Sequence, residues 1–337
     1  MLSRKIILFL VVVTATANLH AQTNDSTYAE KLSYPKGAKV LIIHVDDAGM
    51  SHDSNEGVIE AITKGAANST SVMMPCSWVP EFVHFLKQHP EVDAGLHLTL
   101  TSEWKDYRWG PLAGKTLTPG LVDTEGDLWP DVPDVVKHAS ADEVEKEIRA
   151  QLDRARSMGF EPTHLDSHMG TLFASAAFLE RYIKVGIENH IPVMLPGGDD
   201  ILIQQQTHTP DVFINQLRSA GKTLWAAGLP VLDDLHNFSY DWKVPENVKP
   251  GDEKSQDYKT QKYIEALKLL RPGVTMMIMH CTRPSETFQY ISDTGPLRKA
   301  DLLAMLNPAF KKALKEEGII LTTWRELKER RMKVKNE

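Results

Sequence analysis

Apolar residues in this chain follow two spacings that take turns. Short, nearly unbroken runs recur, separated by stretches in which apolar residues return every three or four positions. The first run, Leu41-Ile42-Ile43-His44-Val45, ends in Asp46-Asp47-Ala48-Gly49. Such a run predicts a strand buried on both faces, as in a parallel sheet covered by helices. Neighbouring strand residues point to opposite sides, so Asp46 and Asp47 can serve one site only where strand gives way to loop. Asp53-Ser54-Asn55-Glu56 has the form of a helix start, and Val58, Ile59 and Ile62 form a stripe that Gly65 ends. A strand at 70–74, a helix carrying Phe82, Phe85 and Leu86, and a strand at 93–98 extend a β-α-β-α-β rhythm.

Residues 102–138 interrupt it. Trp104, Tyr107, Trp109 and Trp129 stand there among Pro, Gly and Asp without a period, which predicts an aromatic-rich loop insertion whose rings could stack on sugars. The rhythm resumes with an amphipathic helix at 140–158, marked by Val144, Ile148, Leu152 and Ala155. A strand at 163–168, a helix at 175–189 and a strand at 191–195 follow. Residues 196–250 carry a helix near 211–219 and an aromatic patch at Phe238, Tyr240 and Trp242, but no clear pattern beyond these. A helix at 255–270, a strand at 274–279 ending at His280, a helix at 297–317, a strand at 319–322 and a helix at 324–328 finish the chain. About seven strand–helix units without an internal repeat predict one barrel-like α/β domain over 38–330.

Composition narrows the setting. Residues 1–21 read as a secretory signal: Arg4 and Lys5 precede the apolar run 6–13, and small residues lead to Ala21. Residues 22–37 read as a polar tether. The apolar run is too short to span a bilayer and nothing later reaches membrane length, so no transmembrane segment is expected. The net charge of −7 becomes −9 without the leader, which holds two basic residues and no acids. An acidic exported chain without basic runs argues against nucleic acid as a partner. Cys76 and Cys281, the only cysteines, fit either a disulfide or two buried thiols. The oligomeric state stays open.

Four predicted strands end in ionisable groups: Asp46-Asp47, His97, His164-x-Asp166-x-His168, and His280. In a parallel barrel these ends converge on one face. A single such histidine, flanked by leucines as His97 is, is more often a satisfied core residue, and His44 reads as core. Their conjunction carries the signal, because two imidazoles and a carboxylate with open positions form a common catalytic metal set.

Asp46-Asp47-Ala48-Gly49, Asn55, Gly95-Leu96-His97-Leu98, Asp166-Ser167-His168 and His280, in that order, resemble the YdjC-like carbohydrate deacetylases, relatives of the polysaccharide deacetylases. The resemblance covers about residues 38–325. It implies a single distorted TIM-like (β/α) barrel and one divalent ion held by Asp47, His97 and His168. It implies Asp46 as general base, His280 as general acid, and hydrolysis of the N-acetyl group of an amino sugar or short oligosaccharide. Two departures stand out: Gly170 where the family often has a second histidine, and Cys281-Thr282 where Pro-Gly is common. Two imidazoles with one carboxylate favour zinc, with magnesium or another divalent ion admitted.

Asp166 is expected to orient a histidine, and Asn55, Arg283, Trp104 and Trp109 to support the site or touch substrate. His164 and His168 face the same way by period, but His168 stands roughly 13 Å nearer the carboxyl end if extended at ~3.3 Å per residue. His168 is therefore the expected ligand, with His164 either in the barrel interior or in a hydrogen bond behind the site. The rivals are an inactive carbohydrate-binding protein and an esterase or other amidohydrolase on the same metal core. Sugar binding alone needs neither Asp46 nor His280.

Overall fold

The computed structural model describes residues 26–242 and 253–334. The expected leader lies outside the described residues. Among the described residues are seven strands: β1 (Lys39–Ala48), β2 (Ser69–Val72), β3 (Ala94–Leu98), β4 (Leu165–Ser167), β5 (Asp234–His236), β6 (Gly273–Met279) and β7 (Ile320–Leu321). All pair in parallel in the order β4-β3-β2-β1-β6-β5, and β7 joins β1 through Val40 and Leu41. The sheet curls into a half-barrel. The stretch 191–197 links its two ends through single bridges, Leu165 to Val193 and Pro196 to Leu232. This is a distorted TIM-like barrel with β1 at its centre.

The expected strand at 191–195 is reduced to those bridges, since Pro192 and Pro196 have no N–H to give a ladder. The seventh strand is instead β5, three residues with no apolar run to announce them. The expected helix at 297–317 is two, Gly295–Leu306 and Pro308–Glu316, broken at the proline.

Alternation along β1 sorts its side chains. Leu41, Ile43 and Val45 pack with the large core under the surrounding helices, while Val40 and Ile42 join a smaller cluster with Val274, Met276, Ile278 and Trp324. Continuing that second face brings His44 and then Asp46. The barrel interior thus passes from apolar at the amino-terminal ends to polar at the carboxyl ends. The region expected to be a tether contributes to the interior as well. Tyr28, Ala29, Leu32 and Tyr34 are buried, and the Asp233 carboxylate accepts the backbone N–H groups of Tyr28 and Ala29 at 2.8 and 3.0 Å.

The aromatic-rich stretch is more ordered than a loop. It contains the helix Val132–His138, and Glu147, on the helix Ala141–Ser157, accepts the N–H groups of Leu112 and Ala113. Cys76 and Cys281 are both free and buried. No helix among the described residues is long and apolar enough to cross a membrane.

Candidate metal centre

Two adjacent acids face one site because the backbone leaves strand geometry between them. Asp47 has φ +69°, in the left-handed region, and the register against β2 shifts between Val45 and Ala48. Left-handed backbone is costly for a residue with a side chain and persists where surroundings hold it. Asn55 supplies much of that hold. Its Oδ1 accepts the Gly49 N–H at 2.7 Å, and its Nδ2 donates to Trp78 O and Glu81 Oε2. Asn55 is fully buried with all these bonds made inside the fold, so it braces the turn and is not a substrate contact.

His97 comes from β3. His168 opens the short helical turn His168–Phe173 directly after β4. Asp47 Oδ1 lies 3.3 Å from His97 Nε2 and 3.5 Å from His168 Nδ1, and the three atoms are within 4.8 Å of one another. The Oδ1 atom is buried and accepts no hydrogen bond from the described residues.

The remaining polar atom of each of the three side chains is held from behind. His97 Nδ1 meets Asp166 Oδ1 at 2.7 Å, His168 Nε2 meets Glu103 Oε1 at 2.9 Å, and Asp47 Oδ2 accepts from Arg298 Nη1 at 2.6 Å. Carboxylates behind histidines of this kind fix ring orientation and leave the facing nitrogen's lone pair open. The donor set, two imidazoles and one carboxylate oxygen around a shared space, fits a divalent ion.

Asp46 and His280 flank this trio. Asp46 Oδ2 is 3.7 Å from His97 Nε2 and 3.9 Å from His280 Nε2, and His280 Nε2 is 4.0 Å from Asp47 Oδ2. The His280 ring packs edge-on to Tyr240 at 4.7 Å, and its buried Nδ1 has no hydrogen-bond partner among the described residues.

Burial and charge compete across the site. Burial alone would raise the Asp47 carboxyl, but Arg298 beside it and the two histidines hold it well below the usual range. Burial opposes charge on His168, yet Glu103 and Asp47 bring its pKa up to about 9. For His280 burial dominates and pushes the pKa down to about 4, leaving a neutral ring.

His44, read from sequence as core, is fully buried but belongs to the polar floor of the site. Its nitrogens meet Ser69 and Ser71, and Nε2 lies 3.0 Å from Asp166 Oδ2 and 3.1 Å from Asp46 Oδ1. His44, His164 and Asp166 also cluster closely enough to suggest an ion. The two serines engage both His44 nitrogens, however, so that group is a hydrogen-bonded network. His164 lies deep, 3.6 Å from Asp166 Oδ2 and stacked on Trp324.

Two expected contacts lie elsewhere. Trp109 is 5% exposed, with its indole N–H donated to Thr101 O, so its ring belongs to the core and offers no face to a sugar. The Arg283 side chain is 60% exposed and pairs with Glu60 on the helix His52–Thr63, where solvent suits its charge. Trp104, next to Glu103, is half-buried against the core. Sequence reasoning missed Glu103 and Arg298, and marked Tyr240 only as part of an aromatic patch. Glu103 stands in an unpatterned stretch, and a single arginine on a helix carries no sign of facing inward.

A parallel α/β barrel with an aspartate and two histidines converging at its strand ends defines a class of metal-site barrels. Within it, the profile of the YdjC-like protein family matches residues 40–316, and the chain belongs to that family. It is 28% identical over 293 residues to a carbohydrate deacetylase of Thermus thermophilus, covering 87% of this chain and 95% of that protein. A chitooligosaccharide deacetylase of Yersinia enterocolitica is 33% identical over 135 residues, 39% of this chain and 49% of that protein. A crystal structure from Enterococcus faecalis V583, of a protein named for cellobiose-phosphate cleavage, shares the fold. Its TM-score is 0.69 at 20% identity, over 86% of this chain and 99% of that one.

Proposed function

We propose that this protein is a metal-dependent carbohydrate deacetylase that hydrolyses the N-acetyl group of an amino sugar or short oligosaccharide and releases acetate. The observation that carries the reading is the trio Asp47 Oδ1, His97 Nε2 and His168 Nδ1, with Asp46 and His280 on its rim. The names borne by the Thermus and Yersinia relatives support the substrate class.

Asp47, His97 and His168 would hold one divalent ion, zinc being favoured by the donor set. When bound, such an ion polarises the acetamide oxygen and acidifies water. The protein's own groups do the proton work. Asp46 takes a proton from the attacking water, and His280 delivers one to the departing amine nitrogen. The two face each other at 3.9 Å, so a proton gained at Asp46 has a short way to His280 Nε2. Asp166 keeps His97 aimed, and Arg298 keeps Asp47 ionised and in place.

Export to the periplasm or beyond belongs to the same proposal and rests on the leader-like residues 1–21. The test of function is direct. N-acetylglucosamine oligomers incubated with the protein should yield free acetate and amine-bearing sugar. Release of acetate only from O-acetylated sugars would replace the amidase reading with an esterase.

A further inference from the structure

We infer that Glu103 is a positioning residue of the metal centre, fixing which ring nitrogen His168 offers and tying the aromatic-rich stretch to the site. The inference rests on the metal reading above. Glu103 Oε1 meets His168 Nε2 at 2.9 Å, while Oε2 is buried and accepts no hydrogen bond. Its side chain is 13% exposed, and among the described residues His168 is the one side chain to which it hydrogen-bonds. Burying a carboxylate is costly unless it is paired and hydrogen-bonded. This one uses a single oxygen, on a candidate ligand.

The two histidines offer opposite nitrogens. His97 presents Nε2 because Nδ1 is taken by Asp166; His168 presents Nδ1 because Nε2 is taken by Glu103. A neutral imidazole carries one proton, and the group that accepts it decides which nitrogen keeps its lone pair. Glu103 Oε1 stands 2.9 Å from Nε2 and Asp47 Oδ1 3.5 Å from Nδ1, so the closer carboxylate holds the nitrogen turned away from the ion's place. Without Glu103 the ring loses the carboxylate that holds Nε2 and aims Nδ1 at the ion's place.

The aromatic-rich stretch sets where Glu103 stands. Ser102 N–H donates to Trp129 O, Ser102 Oγ accepts from Trp109 N–H and Arg108 Nε, and the Trp109 indole clamps Thr101 O. Trp109 and Trp129, from the stretch expected to meet sugar, thus hold Thr101 and Ser102, the two residues that lead into a metal-site carboxylate.

The test uses the full chain stripped of metal, titrated with zinc, and its cobalt-substituted form. Glu103→Ala should weaken zinc binding 10–100-fold and alter the cobalt absorption spectrum. The downfield proton signal of His168 Nε2–H in the zinc form should also be lost. Glu103→Gln, nearly isosteric and still able to accept from Nε2–H, should fold normally and lose less. Zinc affinity within twofold of wild type in both variants, with unchanged spectra, would overturn the proposal. His168→Ala separates the two readings. If it keeps full affinity, the metal assignment fails. If it loses affinity while the Glu103 variants do not, Glu103 alone is misassigned.

Discussion

Arg298 Nη1 lies 2.6 Å from Asp47 Oδ2 in a pair shielded from solvent, and this leaves Oδ1 bare toward His97 and His168. One carboxylate is divided between a permanent cation and a space for another. Removing one partner of a buried pair typically costs about 3–5 kcal/mol, because the other charge is left uncompensated. A bound divalent ion would compensate Asp47 from its other side. Arg298→Leu should therefore lose most stability in chelator and at most half as much in saturating zinc, read by thermal unfolding. Equal losses in both conditions would mean that no ion faces Asp47.

Asp46 and His280 lie at the rim of the trio without completing it. Asp46→Asn and His280→Ala should keep wild-type metal content while turnover falls about 10²–10⁴-fold, as is typical when one acid or base is removed. Near-normal turnover in both would assign the proton transfers to other groups.

Gly95 marks a close approach in the barrel interior. A Cβ there would sit 2.5–2.6 Å from the His164 ring, which is stacked on Trp324 and has no room to retreat. Gly95→Ala should destabilise by about 1–3 kcal/mol, the usual range for overpacking, measured as a lower denaturant midpoint. A change under about 0.5 kcal/mol would mean the interior holds slack.

Much of this arrangement was legible in the sequence because it depends on periodicity. The apolar runs marked β1, β2, β3, β6 and β7, and their ends marked the ionisable groups that the structure brings together. What period cannot reveal is how Asp47 escapes alternation. That takes a left-handed backbone braced by Asn55, and Asn55 was noticed without its task being evident. Glu103 and Arg298 reach the site from a patternless stretch and from a helix distant in sequence, and only tertiary packing brings them there. The strand β5 was invisible for a related reason. Two of its three residues, Asp234 and His236, are ionisable and read as loop. Trp109 misled because an aromatic among turn residues looks available, whereas its indole clamps its own segment.

Asp200 gives a pH signature away from the site. It is fully buried, neither carboxylate oxygen accepts a hydrogen bond, and burial, with Asp234 next, raises its pKa to about 8. The unfolded value is about 3.9. Between these values the native state binds the extra proton, so stability is full below about pH 4 and falls as pH rises toward 8. Asp200→Asn removes that dependence and should stabilise by about 1–3 kcal/mol at pH 8, the gap closing toward pH 4. Urea unfolding at both pH values measures it. A gap independent of pH would show that Asp200 is ionised throughout.

By the proposed function, Asp47, His97 and His168 would hold the ion on which deacetylation depends. The most direct test is acetate release from an N-acetylglucosamine oligomer by the metal-stripped protein as zinc is added back in known amounts. Release should be absent in the stripped protein and rise in proportion to zinc up to one equivalent. In the His168→Ala variant it should stay absent at the same zinc. Full acetate release by the stripped protein, or full rescue of His168→Ala by one equivalent, would show that this trio does not hold a required ion.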